Sequence, residues 1–561
     1  MALMLRRLLG AGAGLMLLAA ACSGNPSVTP SASDTSPDPT APTTSPSFDD
    51  DRGGTLRVGL ADNPFSIDPR FIVDEEGALI ADALFDGLVA IGEDLRTIVP
   101  AAAESWTIND DGTIYEFALR EGTTFHDGTP VTAEDFVRSF QRIADGTADP
   151  ASFGAYKLEA IVGFEEAQAS GTPLSGVESM EDGRLRIELQ YPFAELLAVL
   201  TDPALAPVPA PADDAPDAFA ESPVGNGPFE MAEPWQQNQF IRLAASDGHW
   251  TTPLLDEVLF QIYTGATSAQ EQYRDFEEGL LDVAEIPDDQ VAVAIDRFGE
   301  SADGYTGPGV LTGTTGTLYF FGFNTELAPF DDPAVRQALS RLIDRQGIAQ
   351  ELLRSAREPA VHIVPPALPG GGEVTCSHCS YDPESAHAAL TREDGTSRLD
   401  GLTLLHNEGD TNALIARRVA DDIGRALEIE VEVEAVTLSD LVVRIRAGEV
   451  QMFRYGWSAD YPTPGSYLLP QFRSATRGSD NLTNFSNPDV DDLLLQAQGE
   501  LDLDQRLDLY RQAEEAILEA APIAPVFFYR LNKVVADGVQ GFASNPLGRV
   551  DLTEVWVERG P

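Results

Sequence analysis

One carboxylate stands out by the company it keeps. Asp460 lies in GWSADYPTPGSYL, residues 456–468, among Trp457, Tyr461 and Tyr467. A carboxylate is costly to desolvate among apolar and aromatic groups unless a cation or hydrogen-bond donors meet it. Such a group suits the recognition of a positive charge. A plainer use is also open, because aspartate commonly caps a local turn and Pro462 and Pro464 follow it. Trp457 is open in the same way, between core packing and the wall of a pocket.

Other chemistry is sparse. Cys376 and Cys379 stand in TCSHCSYDP with His378 between them. A lone C-x-x-C lacks the second ligand pair of a structural zinc site, and no thioredoxin-like context surrounds it. A small-loop disulfide is the plainer reading outside the cytoplasm. The six histidines, at 126, 249, 362, 378, 387 and 406, are scattered. There is no H-E-x-x-H helix, G-x-S-x-G elbow or P-loop, and Gly307 to Gly313 has the wrong spacing for a dinucleotide loop. These absences lower the case for catalysis, and no cofactor is called for.

The elements that would position Asp460 read as mixed α/β. TLRVGL from Thr55, TIYEFALRE from Thr113, RLRIELQ from Arg184 and LEIEVEVEAV from Leu427 alternate as half-buried strands. LYFFGFN from Leu318 is continuously apolar, as a sheet-centre strand would be. Thr132 with Asp135 approximates a capping box, and Phe136, Val137, Phe140 and Ile143 then share one helical face. Asp332-Pro333, Asp382-Pro383 and Asn487-Pro488 each pair a capping residue with a proline suited to the first helical turn. Residues 201–231 are rich in proline and alanine and read as a crossing between lobes. Gly225 to Phe229 should form a tight turn around Asn226. No internal repeat is visible, and 561 residues exceed a single core.

The charge is lopsided, 36 basic residues against 91 acidic ones, for a net of -55. That field repels phosphate backbones and excludes nucleic acid as a partner. Lys157 and Lys533 are the only lysines.

The N-terminus reads as an export signal. Arg6 and Arg7 precede an apolar run from Leu8 to Ala21, too short to span a bilayer, which needs about 20 residues. It ends in LAAAC, which resembles the lipobox of bacterial lipoproteins and would make Cys22 the lipidated first residue of the mature chain. Residues 22–53, rich in serine, threonine, proline and aspartate, should form a disordered tether. The protein is therefore expected on the outer face of a bacterial cell membrane.

Five stretches in order carry a family resemblance: NPFSIDPR from Asn63, the run from Ala103 to Ile143, VGNGPFEM from Val224, the run from Phe320 to Arg345, and residues 456–468. Together they resemble the bacterial extracellular solute-binding proteins of family 5, the oligopeptide-, dipeptide- and nickel-binding components of ABC importers. The resemblance runs from about Gly54 to Tyr529. It implies a two-lobed periplasmic-binding-protein-like α/β fold of class II, with an extra subdomain in lobe I. Lobe I would hold 54–88, 222–316 and 526–561, the extra subdomain 89–221, and lobe II 317–525.

It also implies function. In peptide-binding members the aspartate of the W-x-x-D stretch pairs with the α-ammonium of the peptide, which here is Asp460. Gly456 and Ser458 match positions whose main chain bonds the peptide in strand-like fashion. The protein would then be a monomeric, non-enzymatic binding component, delivering small peptides to ABC permease subunits served by a separate ATPase. Thr463 stands where an acidic residue often sits, which leaves the substrate open. Arg454 and Arg473 are nearby cations for a ligand's far end. A metal chelate, a sugar or an opine is the alternative ligand; an extracellular hydrolase, a sensor or a chaperone is the alternative of another class.

Overall fold

The computed structural model describes residues 53–558. The export signal, Cys22 and the tether lie outside the described residues. Two large sheets organise the rest into two lobes. The first has seven strands in the order Gly309–Leu311, Lys533–Val535, Val283–Glu285, Thr55–Leu60, Glu257–Ile262, Phe240–Ala245 and Phe229–Met231. The second has six, in the order Arg357–Pro359, Ile523–Arg530, Thr314–Phe323, Met452–Ser458, Thr403–Asn407 and Glu432–Val436. A four-stranded sheet, built from residues 103–108, 114–119, 185–188 and 177–179, forms a separate module.

Thr314–Phe323 is the central strand of the second sheet and is buried on both faces, as its unbroken apolar run predicts. Leu318 and Phe320 face a core shared with the four-stranded module and the helices Gly465–Phe472 and Leu503–Ala520. Tyr319, Phe321 and Phe323 face the other side. The four-stranded module therefore packs its apolar side toward the second sheet. Its contacts with the first lobe include the buried pair of Arg142 with both oxygens of Asp68, at 3.1 and 2.9 Å.

The chain passes between the sheets at Thr312–Gly313 and again at Leu531–Asn532. The two crossings lie side by side, with the Leu531 N–H donating to the Gly313 carbonyl at 2.8 Å. The limits expected at 316/317 and 525/526 fall inside strands whose pairing carries them onward into the second sheet.

Local expectations have clear counterparts. Thr132 and Asp135 form a reciprocal capping box. Asp332, Asp382 and Asn487 each accept a backbone N–H at a proline-led helix start. Gly227 must be glycine, since a Cβ there would lie 2.5 Å from the Leu84 carbonyl carbon. Asn226 is buried and holds Asp86 through both its backbone groups. One stretch differs. Of LEIEVEVEAV only Glu432–Val436 is strand, because Leu427 ends a helix and Glu428 turns left-handed at φ 55° to stop it. Alternation alone could not register a helix end inside it. Among the described residues no helix is long and apolar enough to cross a membrane.

Candidate ligand-binding cleft

Met452–Ser458 pairs antiparallel with the central strand, from Met452 opposite Phe323 to Ser458 opposite Thr317. One step further, the Ala459 N–H donates to the Gly316 carbonyl at 2.8 Å. Bonded and non-bonded pairs alternate along such a ladder. Residues 457 and 459 therefore bond the central strand, and Gly456 and Ser458 turn their N–H and C=O groups to the opposite edge. On that edge Thr403–Asn407 pairs only with Met452 and Phe453. Among the described residues no strand covers the edge at Gly456 and Ser458.

Trp457 points the other way. Its ring packs against the shared core, and its indole N–H donates to the Ser466 carbonyl at 2.8 Å. It lines none of the three cavities around the strand end.

Asp460 lies two residues past the strand end and opens onto a cavity of about 420 Å³ between the lobes. Its walls come from residues 72–78 and 546–549 of the first lobe, 153–157 of the four-stranded module, and 316–317 and 458–460 of the second sheet. A second cavity of about 730 Å³ continues past Glu75, Thr317 and Ser458 toward Arg357, Tyr529 and Lys533. Asp460 does not cap its own loop. Its Oδ1 accepts from the hydroxyl of Tyr156 at 2.8 Å, across 304 residues of sequence. Among the described residues it forms no ion pair.

The electrostatics follow from burial. Desolvation raises the Asp460 carboxyl above the ordinary aspartate value of 3.8; the nearby Lys157 and the Tyr156 hydroxyl pull it partly back. Burial, and then the Asp460 charge, hold the Tyr156 phenol well above its usual range, so Tyr156 stays a neutral donor. Lys157 is itself engaged. Its ammonium is ion-paired with Asp202, both side chains nearly buried at 11% and 10% exposure. Burial pushes Asp202 up, but Lys157, Arg549 and the Ala204 N–H outweigh it and hold that carboxyl below 3.8. Asp460 is thus a half-buried carboxylate on this wall whose charge meets a neutral side chain, whereas Asp74, also half-buried, is held by the backbone N–H groups of Phe65 and Gly77.

The remaining candidates lie at varied distances. Arg473 lines a small cavity of about 150 Å³ that shares Tyr156, Lys157 and Asp460 with the first. Arg454 donates to Asn407 at 2.8 Å and stacks 4.3 Å over the Tyr319 ring, outside all three cavities. Cys376 and Cys379 are disulfide-bonded. Buried His378 sits within 4.8 Å of them as a possible metal trio, but bridged sulfurs are not thiolate ligands. Thr463, the unusual residue of the run, is buried beside Glu195.

Tyr156, Asp202 and Arg549 carry no motif and were not singled out by sequence reasoning, and Lys157 was noted there only as one of two lysines, without a role. The scarcity of lysine was a usable signal: of the two in the chain, Lys157 lines the first cavity and Lys533 the second.

Residues 97–479 match the profile of the bacterial extracellular solute-binding proteins, family 5 Middle. The dipeptide-binding protein DppE of Bacillus subtilis is 27% identical over 519 residues, 90% of this chain and 92% of the relative. The probable deoxycholate-binding periplasmic protein YgiS of Escherichia coli is 30% identical, over 90% of this chain and 93% of its own length. Among solved structures, the Escherichia coli murein tripeptide binding protein MppA aligns with a TM-score of 0.71 at 25% identity, covering 90% of this chain and 99% of that one.

Proposed function

The chain belongs to family 5 of the bacterial extracellular solute-binding proteins, and from that premise we propose that it captures short peptides between its lobes and delivers them to an ABC permease. One observation carries the reading: a desolvated carboxylate without an ion-pair partner, Asp460, opens onto the inter-lobe cavity beside an uncovered strand edge. A peptide offers what both features lack. Its α-ammonium supplies charge and donors to Asp460. Its backbone pairs with the outward groups of Gly456 and Ser458, which gives affinity without reading side chains.

The lobes close around the guest by bending at the paired crossings Thr312–Gly313 and Leu531–Asn532, as in hinge closure generally. The closed surface docks on the permease. A separate ATPase supplies the energy, since the chain has no P-loop. Relatives named for deoxycholate, at 30% identity, and for heme, at 29%, keep a non-peptide ligand as the second reading. A steroid carboxylate would meet like charge at Asp460, which favours the peptide.

The pH dependence tests the assignment. An ammonium binds the ionised carboxyl, and the Asp460 carboxyl titrates above 3.8 in the free protein. Affinity should therefore fall as pH drops toward that raised value, by up to about tenfold per pH unit below it. Binding at mildly acid pH should release a proton. Calorimetry in buffers of different ionisation enthalpy reads both effects. A profile unchanged in Asp460→Asn would assign the titration elsewhere.

Anchoring is the second part of the proposal. Cys22 carries the lipid and joins the body to the membrane through the serine-, threonine- and proline-rich residues that follow it. Cys22→Ser should move the protein from the membrane fraction to the medium. Retention in the membrane fraction would refute the anchor.

A further inference from the structure

Exposed apolar side chains gather on one side of the Asp460 cavity. Phe153 is 64% exposed, Phe65 62%, Val73 51% and Tyr156 46%. They come from two separate parts of the chain, residues 65–73 of the first lobe and 153–156 of the four-stranded module. Phe65 and Phe153 meet edge to face, with centroids 6.3 Å apart. Ile72, Val73 and Phe153 line the same cavity as Asp460.

The backbone beneath Phe65 and Phe153 is tied down. The Phe65 N–H donates to Asp74 Oδ2 at 2.6 Å. Ser152 Oγ donates to the Arg70 carbonyl at 2.8 Å and accepts from the Gly154 N–H at 3.1 Å, fixing both ends of the Phe153 turn. Aromatic surface exposed at a cavity mouth marks a binding wall, because water contact with it is unfavourable. Asp74 and Glu75 join the same wall, so an acidic guest is repelled.

We infer that this wall is a side-chain subsite that selects an apolar, and best an aromatic, residue at the first position of the peptide. It rests on the peptide reading above. A peptide whose ammonium sits on Asp460 places its first side chain within this same cavity, where Phe153 and Val73 can cover it. Edge-to-face packing on Phe153 favours an aromatic ring over an aliphatic group.

Calorimetry with Phe-Ala-Ala, Ala-Ala-Ala and Asp-Ala-Ala, all with free amino termini, tests the subsite on the full mature chain. Burying an aromatic side chain should make Phe-Ala-Ala bind at least about tenfold tighter than Ala-Ala-Ala. Asp-Ala-Ala should bind weakest. In Phe153→Ala the ratio of the first two should fall to about threefold or less, and in Val73→Ser it should fall by a smaller factor. Equal affinities for the three peptides, or a ratio that survives both substitutions, would overturn the subsite and leave peptide capture standing. No binding by any of them would overturn the peptide reading itself.

Discussion

Asp460→Asn should weaken peptides with a free amino terminus by roughly 100- to several-thousand-fold, and N-acetylated peptides hardly at all. The estimate is the ~3–5 kcal/mol that follows when one side of a desolvated, hydrogen-bonded charge pair is removed. The free protein should not suffer. Its Asp460 carboxyl is raised by burial, so the charged form opposes folding at neutral pH and is relieved as pH falls. A neutral amide removes that opposition and still offers an oxygen to the Tyr156 hydroxyl. Stability unchanged or higher, with affinity lost only for free amino termini, is the expected pair of results. Equal loss for both ligand classes would make Asp460 structural.

Lys157→Met should lower stability by about 3–5 kcal/mol at neutral pH, because it strands Asp202 in a nearly buried site. Asp202 also caps the turn Pro203–Leu205 through the Ala204 N–H at 2.9 Å, so it cannot simply swing to solvent. The sign with pH is specific. In the native protein Asp202 is held below 3.8, so its contribution is present above that value and is lost as pH falls through the depressed one. Without Lys157, burial dominates and the carboxyl rises. The deficit of the variant should then be largest at neutral pH and narrow toward acid pH. Asp460 loses a compensating cation as well, so the acid loss of peptide affinity should begin nearer neutrality. Chemical denaturation at two pH values reads the first effect. A deficit below about 1 kcal/mol, the range of an exposed pair, or one independent of pH, would contradict the buried-pair account.

The cleft was only half legible in the chain. Asp460 stands out as a candidate in the sequence because its cost is local, a carboxylate among Trp457, Tyr461 and Tyr467, and the structure places it on the inter-lobe cavity. The strand-like role proposed for Gly456 and Ser458 rests on resemblance; the alternation fixed by Ala459 bonding Gly316 turns their backbone groups to the uncovered edge, as that role requires. The partners of Asp460 were not legible. Tyr156 lies 304 residues away, and no spacing rule joins positions that meet only when two lobes and an inserted module pack together. Helix starts at Asp332, Asp382 and Asn487 were readable because a cap is a contact of two or three residues. The crossings at Thr312–Gly313 and Leu531–Asn532 were displaced in the sequence reading because sheet membership is decided by long-range pairing.

The most direct measurement is a crystal structure of the mature protein with a bound tripeptide of free amino terminus. The peptide nitrogen should lie about 3 Å from an Asp460 carboxylate oxygen, with the peptide backbone paired to Gly456 and Ser458. A tripeptide seated in the cleft with its nitrogen on another group, and Asp460 bonded only to Tyr156, would contradict it.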